Sequence, residues 1–247
     1  MKQLSPGSEH TLPEGQANFG LQQTRASLRS ALAAEAVIRW ADHDDRLEAL
    51  AGRPVSPVSS DSKTIARTAA AAFGGTARVN RYWDDHHQHS VDVLSCTDAP
   101  LNGVNSYATI GLSDSLILKD GAPLDVRVEF VAACGAQTKD FERYLSTAAF
   151  CVINSRWFVA PGTIFPNVLR MYDASPTMDH LLFLPPFLWE GRLKSIALEA
   201  KTIAWLLAIP ISESELRFAE TFGLPELEGV FEKCQIDIFD FERAPVR

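Results

Sequence analysis

Seven short runs of strand-forming residues, with helical patterns before, between and after them, constrain the fold of this chain more than any other feature. The runs cover residues 77–83, 90–95, 106–112, 126–132, 180–184, 195–200 and 202–209. The second and third alternate apolar and polar residues, as half-buried strands do. We therefore expect an α/β (α+β) domain whose sheet is mixed but largely antiparallel and is flanked by helices.

The helical segments carry recognisable start and stop signals. Asp61 or Ser62 is placed to cap an Ala-rich helix that runs to Phe73 and ends at Gly74. A second helix is expected over residues 138–152, with Phe141, Leu145, Ala148 and Cys151 or Val152 on one face.

Near the C-terminus, Pro210 cannot donate a ladder hydrogen bond and should end the last strand. Ser212 and Glu215 then form a capping box for a helix that ends at Gly223. Pro225 suits the first turn of another helix, running to about Lys233.

The first 60 residues differ in composition from the rest. Residues 1–20 read as a flexible tail, residues 21–51 have a loosely helical pattern, and prolines and serines form a linker before residue 62. We expect an N-terminal extension over residues 1–60 and one domain over 61–247, and deletion of residues 1–58 should leave that domain folded. A translation start further along the chain is the alternative.

Charge and composition exclude several functions. The net charge of −8 disfavours binding to phosphate backbones, so no direct nucleic-acid contact is expected. The four cysteines form no CxxC pair, and the longest apolar stretch, residues 203–211, is far too short to span a bilayer. With no signal-peptide pattern, the sequence predicts a cytoplasmic protein without a membrane segment.

Catalytic motifs are absent from the sequence: there is no phosphate-binding loop, HExxH or GxSxG. His86, His87 and His89 suggest a metal site, but no known ligand frame matches their spacing, and a loop joining two strands is favoured. Cys134, which a loop after a strand would expose, and Cys151 are interpreted as structural. We therefore expect no catalytic residue, metal or cofactor.

Two further features concern packing. Phe187 and Trp189, in a Pro-rich cluster, are expected to be buried rather than to form a binding ridge. Glu129 lies among apolar neighbours and must be edge-exposed, paired or hydrogen-bonded, because burying a lone carboxylate is costly. A buried, satisfied Glu129 is favoured, and Arg78, Arg81 and Arg127 are candidate partners for it.

Several short motifs occur in the order found in one known family. They are YWDD at 82–85, VDVL at 91–94, NGVNSYATIGLS at 102–113, VEFV at 128–131, FPN at 165–167, PPFLW at 185–189, WLLAIPI at 205–211 and QIDIF at 235–239. Together they resemble the suppressor-of-fused family, and its bacterial single-domain members closely, from about residue 62 to residue 239.

The resemblance implies protein binding rather than catalysis. Bacterial members of this kind resemble immunity proteins, or antitoxins, that neutralise secreted polymorphic toxins, many of them nucleases. The chain lacks the additional C-terminal region of the animal members, which puts transcription-factor sequestration in doubt. The first hypothesis is thus an immunity protein bound to a cognate nuclease toxin. A regulatory module with another protein client is the second, and a metal-dependent hydrolase using residues 86–89 is the third.

A candidate contact surface follows from the charge distribution. Residues 212–247 contain nine acidic and four basic residues, which is five of the eight excess negative charges of the chain. Because a nuclease needs a basic cleft, an acidic partner would compete for it. The candidate partner-binding residues are Asp84, Asp85, Glu213, Glu220, Glu226 and Glu228.

Overall fold

The strand-forming runs of the sequence become strands in a computed structural model that describes residues 39–41 and 58–246. The strands are β1 (Arg39–Ala41), β2 (Thr76–Trp83), β3 (Ser90–Thr97), β4 (Val104–Ile110), β5 (Leu118–Lys119), β6 (Ala122–Pro123), β7 (Val126–Gly135), β8 (Ile164–Phe165), β9 (His180–Leu184), β10 (Ile196–Ala197) and β11 (Thr202–Ile211). The α-helices are α1 (Ser60–Phe73), α2 (Phe141–Ile153), α3 (Glu213–Phe222) and α4 (Leu224–Cys234).

Nine of these strands form one mixed sheet, in the order β1-β2-β3-β4-β7-β11-β9-β8, with β10 also paired to β11. Two pairs, β1–β2 and β7–β11, are parallel, and the other pairs in this sheet are antiparallel. The predicted α+β class with a largely antiparallel sheet is therefore confirmed.

Each face of the sheet carries its own hydrophobic core. In β7, Phe130 and Ala132 contribute to the core that includes α2, while Val131 and Ala133 contribute to the core that includes α1. This alternation follows from the two-residue repeat of a strand. Residues Leu227 and Phe231 of α4 join the α1 side, so the sheet is covered by helices on both faces.

The turn between β3 and β4 shows how the Asn102-Gly103 pair acts. Gly103 adopts a positive φ of 78°, which glycine accepts without steric cost. The Val104 N–H donates to the Leu101 carbonyl at 3.1 Å, and the Asp98 carboxylate accepts from the Gly103 N–H at 2.9 Å. The turn sets the register of the adjacent antiparallel pair.

Pro210 does not end the last strand, contrary to the sequence-based expectation, since β11 continues to Ile211. The Ile211 carbonyl accepts from the Asp179 N–H, so the backbone hydrogen-bonding groups of Ile211 point toward β9. The backbone of Pro210, one residue earlier in the strand, points to the opposite side. The pairing with β7 has already ended there, at Leu207. A proline without an N–H therefore breaks no ladder hydrogen bond, and its carbonyl accepts from Arg243.

The strand β1 lies inside the segment that was expected to be helical. Residues 39–41 pair in parallel with Arg78, Val79 and Asn80 at the edge of the sheet. The helical prediction is therefore wrong for these three residues. The rest of the helical pattern, and the tail before it, lie outside the described residues.

Four local expectations are corrected. Ser59, rather than Asp61 or Ser62, caps α1, with its hydroxyl accepting from the Ser62 N–H. Cys134 lies within β7 and is buried, since the strand runs three residues beyond its expected end. Residues 195–200 form only the two-residue β10. Trp189 is buried as expected, whereas Phe187 is only partly buried.

Glu129 is fully buried and hydrogen-bonded, as favoured, but none of Arg78, Arg81 and Arg127 is its partner. Its two carboxylate oxygens accept from the Thr109 hydroxyl at 2.6 Å, the Gly111 N–H at 2.9 Å and the Ser113 N–H at 3.0 Å. These neutral donors come from the end of β4 and the turn after it. Burial raises the pKa of Glu129 to about 7, although the hydrogen bonds oppose that shift.

Candidate partner-binding surface

The acidic C-terminal region is built on two consecutive helices, α3 and α4. The predicted capping box opens α3: the Ser212 hydroxyl accepts from the Glu215 N–H, and the Glu215 side chain accepts from the Ser212 N–H. Gly223 ends α3 and directly precedes α4, whose first turn contains Pro225 as predicted. The sequence therefore predicted where the two helices that carry the acidic side chains begin and where α3 ends.

Glu213 lies in the first turn of α3 and links this helix to a neighbouring loop. Its carboxylate accepts from Arg217 at 2.7 Å and lies 3.0 Å from Nε2 of the buried His180. The other ring nitrogen of His180, Nδ1, accepts from the Asn167 N–H at 2.8 Å, so Nε2 must be the nitrogen that carries the proton. The hydrogen bonds from Arg217 and His180 lower the pKa of Glu213.

The other predicted contact residues of this region differ in accessibility. Glu220 and Glu226 are exposed, on α3 and in the first turn of α4 respectively. Glu228 is half-buried, and its desolvation raises its pKa. Glu220 and Glu226 are therefore the most available to a partner, whereas Glu213 already has two neighbours.

One acidic residue of this region is removed from the surface altogether. Glu215 is fully buried, and its two carboxylate oxygens accept from the guanidinium of the buried Arg243 at 2.6 and 2.9 Å. The two charges neutralise each other inside the protein. The excess negative charge of residues 212–246 therefore lies on the surface, where it acts on an approaching partner.

Asp84 and Asp85 lie elsewhere, in the turn between β2 and β3. Asp84 is only 8% exposed. Its carboxylate accepts from the Gln88 N–H and from the side-chain N–H₂ of Asn154, the residue that follows α2. It also lies 3.2 Å from Nδ1 of His89. Burial opposes ionisation of Asp84, but the hydrogen bonds outweigh it and lower the pKa. Asp84 thus stabilises the turn, and of these two residues only Asp85 is exposed.

The histidine stretch lies in this same turn, as the loop interpretation predicted. His86, His87 and His89 are all exposed, and the His87 ring stacks on Trp83 with their centroids 6.2 Å apart. Within residues 39–41 and 58–246, no group of three or more His, Cys, Asp or Glu side chains is arranged to hold a metal ion.

Exposed apolar side chains are the feature that sequence reasoning missed. Phe222, at the end of α3, is 61% exposed and packs on Phe218 with their ring centroids 4.7 Å apart. Met171 is 69% exposed and follows the loop of Asn167. The backbone N–H of Met171 donates to the Asn167 carbonyl. The four-residue spacing of Phe218 and Phe222 was the available signal for a surface pair on α3.

The structure is thus a mixed sheet covered by helices on both faces, with an acidic surface on α3 and α4. A family model for "Suppressor of fused protein (SUFU)" matches residues 87–244, so the chain belongs to the SUFU family. Immunity protein YqcF of Bacillus subtilis (strain 168) is 46% identical over 189 residues, which cover 76% of this chain and 98% of that protein.

Solved structures show the same fold at low identity. A SUFU homolog from Neisseria gonorrhoeae FA 1090 has a TM-score of 0.57 and 17% identity, covering 76% of this chain and 97% of that one. A chain of the Sufu–Fu complex has a TM-score of 0.52 and 10% identity, covering 75% and 92%. Across the described part of the chain, no helix is both long and apolar enough to cross a membrane.

Proposed function

We propose that this protein is an immunity protein that binds a cognate protein toxin in the cytoplasm and neutralises it without catalysis. The observation that carries the proposal is the 46% identity to Immunity protein YqcF over 98% of that protein's length. Identity at this level over a whole domain accompanies a shared mode of action far more often than similarity of fold alone does.

We further propose that the toxin is a nuclease whose basic cleft meets the acidic surface of α3 and α4. The support is electrostatic: the Glu215–Arg243 pair leaves the excess negative charge of this region on its surface. A nuclease cleft is basic because its substrate carries a charge on every phosphate. Opposite potentials raise association rates above the roughly 10⁵–10⁶ M⁻¹s⁻¹ of neutral pairs.

Co-expression tests the immunity function directly. A toxin encoded by the neighbouring reading frame should arrest growth when expressed alone, and co-expression of this chain should restore growth. The two purified proteins should form a stable complex. Restoration without complex formation would contradict neutralisation by binding.

Two other outcomes would favour the alternative functions. Binding only to an unrelated regulator would favour the interaction-module hypothesis. Near-stoichiometric bound metal together with hydrolytic activity would favour the metal-dependent hydrolase.

The acidic surface is tested by association kinetics. Replacing Glu220, Glu226 and Glu228 by Gln should slow complex formation about tenfold at low salt, because the steering field is reduced. Glu213 is left unchanged in this variant, because its contact with His180, whose other ring nitrogen accepts from the Asn167 N–H, joins α3 to β9 and the loop of Asn167. The wild-type association rate should also fall as salt rises, since screening shortens the field to about 8 Å at physiological ionic strength.

The matched control removes three charges from other exposed positions, with Asp125→Asn, Glu190→Gln and Glu199→Gln. This variant should associate close to the wild-type rate. If both triple variants slow association equally, net charge rather than the α3–α4 surface steers the toxin. If neither slows it, the acidic surface has no steering role.

A further inference from the structure

Glu142, in the first turn of α2, is a carboxylate held in one orientation by two donors from β2. The Asn80 side-chain N–H₂ donates to Glu142 Oε2 at 2.8 Å, and the Tyr82 hydroxyl donates to the same oxygen at 2.6 Å. Burial raises the pKa of Tyr82, and the hydrogen bond to Glu142 raises it further, so the hydroxyl remains a donor. Both contacts join residues about 60 positions apart in sequence, so the fold fixes this carboxylate.

While the side-chain N–H₂ of Asn80 donates to Glu142, the side-chain oxygen of Asn80 has no hydrogen-bond partner in the part of the chain that the structure describes. It is 3% exposed, and its Oδ1 is buried without a hydrogen-bond partner among the described residues. Leaving a buried acceptor unsatisfied costs free energy, which is why such atoms are rare in native proteins. An apolar residue at this position of β2 would avoid the cost but would release Glu142.

The carboxylate of Glu142 forms no ion pair with a cation of the described residues. Asp92 is paired with Arg81 at 2.7 Å and the buried Glu215 with Arg243, whereas no ion pair to Glu142 is found within residues 58–246. Glu142 is half-buried, and its second oxygen, Oε1, accepts no hydrogen bond from the described residues. The exposed charges beside it along the chain are mixed, with Asp140 negative and Lys139 and Arg143 positive. The site is therefore an oriented acceptor that still has capacity for a donor.

We propose that Glu142, positioned by Asn80 and Tyr82, is an ionic contact for an arginine or lysine side chain of the bound toxin. The inference rests on the proposed immunity function and adds a contact on α2 to the acidic surface of α3 and α4. Two observations favour a basic partner side chain over a neutral one. The oxygen Oε1 accepts no hydrogen bond from the described residues, and none of their cations forms an ion pair with Glu142. The guanidinium of the adjacent Arg143 lies instead over the Tyr172 ring, 4.9 Å from its centroid.

A pre-oriented carboxylate suits binding because its side-chain entropy is already lost before the partner arrives. A flexible surface glutamate must be ordered on binding and contributes little as a salt bridge. Once a partner covers the half-buried Glu142, water is excluded and the charge–charge attraction strengthens. Breaking such a covered pair changes mainly the dissociation rate.

The variant Glu142→Gln tests this contact against the toxin domain encoded by the neighbouring reading frame, in a catalytically inactive form. Glutamine keeps an oxygen that can accept from Asn80 and Tyr82 but has no charge. We expect Kd to rise at least about tenfold, mainly through faster dissociation, because a covered charge loses its partner. The midpoint of thermal unfolding should stay near the wild-type value.

Two more variants separate the contact from a structural role. Glu199→Gln, an exposed glutamate on the turn between β10 and β11, should bind like the wild type. Tyr82→Phe removes one of the two donors that orient Glu142 and should weaken binding by a smaller factor. If Glu142→Gln lowers affinity only together with a lower unfolding midpoint, Glu142 is a structural link between α2 and β2, and the proposal is wrong.

The outcome also distinguishes this inference from the proposed function. If the wild type neutralises the toxin while Glu142→Gln binds it with unchanged Kd, the contact is excluded and the immunity function stands. If the wild-type protein neither binds nor neutralises the toxin, the immunity function is wrong, and the contact is excluded with it.

Discussion

Glu129 is a buried carboxylate whose hydrogen-bond donors among the described residues are all neutral. In the ionised form its oxygens accept from Thr109, Gly111 and Ser113. A proton on Oε2 can be accommodated as well. The protonated Oε2 then donates to the Thr109 hydroxyl oxygen, and the Thr109 hydroxyl donates to the Phe130 carbonyl instead of to Glu129. The site therefore tolerates both protonation states, and burial favours the neutral one.

The stability of the protein should consequently fall as pH rises through the range in which Glu129 ionises. Its pKa is about 7 in the folded protein, against 4.5 as the ordinary value. A raised carboxyl pKa means that the folded state binds the proton more tightly, so the stabilisation is complete below pH 4.5 and is lost by about pH 7. The free energy of unfolding should therefore be lower at about pH 7 than below pH 4.5 by roughly 3 kcal/mol. Urea unfolding at pH 5, 6, 7 and 8 measures it.

The variant Glu129→Gln isolates this residue from other titrating groups. Glutamine resembles the protonated acid, so the slope of stability against pH between about 5 and 7 should be smaller than in the wild type. Exposed Glu199→Gln should keep the wild-type slope. Parallel pH profiles for the wild type and Glu129→Gln would show that Glu129 does not titrate in this range.

At the scale of elements, the C-terminal segment (residues 235–246) is attached to the domain by several specific contacts. The Arg243 guanidinium bonds to Glu215 and to the Pro210 carbonyl and lies over the Phe231 ring. The hydroxyls of Ser175 and Thr177 donate to carbonyls of the segment, and the Phe241 ring is buried against the core of α2. This segment therefore joins α3 to the opposite face of the sheet.

Replacing Arg243 by Met should destabilise the protein by about 3–5 kcal/mol, because Glu215 would remain buried without its partner. The double variant Arg243→Met/Glu215→Gln should lose less than the sum of the two single changes, since no unpaired charge remains while the capping box keeps its acceptor. A double-mutant cycle from urea unfolding measures the coupling. Strict additivity would mean that the pair does not stabilise the fold.

Sequence patterns predicted most elements because their signals are local. The capping box of Ser212 and Glu215 depends on a few adjacent residues. The apolar–polar alternation located β3 and β4, but the expectation of half-buried strands is wrong, because both faces of these strands are covered. The prediction for Pro210 is wrong because its effect depends on where the pairing between β7 and β11 ends, at Val131 and Leu207, which the local sequence does not show. The donors of Glu129 and the orienting contacts of Glu142 were inaccessible for the same reason, since each joins residues distant in sequence.

At the scale of the whole molecule, the acidic candidates of the sequence fall into two separate places. Glu213, Glu220, Glu226 and Glu228 share the α3–α4 region, as their proximity in sequence suggested, while Asp84 and Asp85 belong to the β2–β3 turn. Their use as contact residues stays a prediction. The order of the strands was not predicted, because the pairing of β11 between β7 and β9 depends on contacts between distant parts of the chain.

Removal of residues 1–58 should leave a cooperatively folding domain. The loss includes β1, which pairs with only three residues of β2, whereas β3 pairs with all eight. We expect the unfolding midpoint to fall by no more than a few degrees, because the described pairing that is lost is a three-residue one at the edge of the sheet. Calorimetry of the truncated and full-length proteins measures this. Loss of the cooperative transition would show that the extension completes the core.

The position of β11 affects how the protein is made on the ribosome. Strands β2, β3, β4 and β7 pair in sequence through antiparallel neighbours and can assemble as they emerge. The second edge of β7 is completed only by residues 202–207, which are translated long after β7 itself. At roughly 5–20 residues per second, the nascent chain exposes that apolar edge for several seconds. A synonymous-codon change that slows translation between β7 and β11 should therefore increase aggregation during synthesis without altering the purified protein.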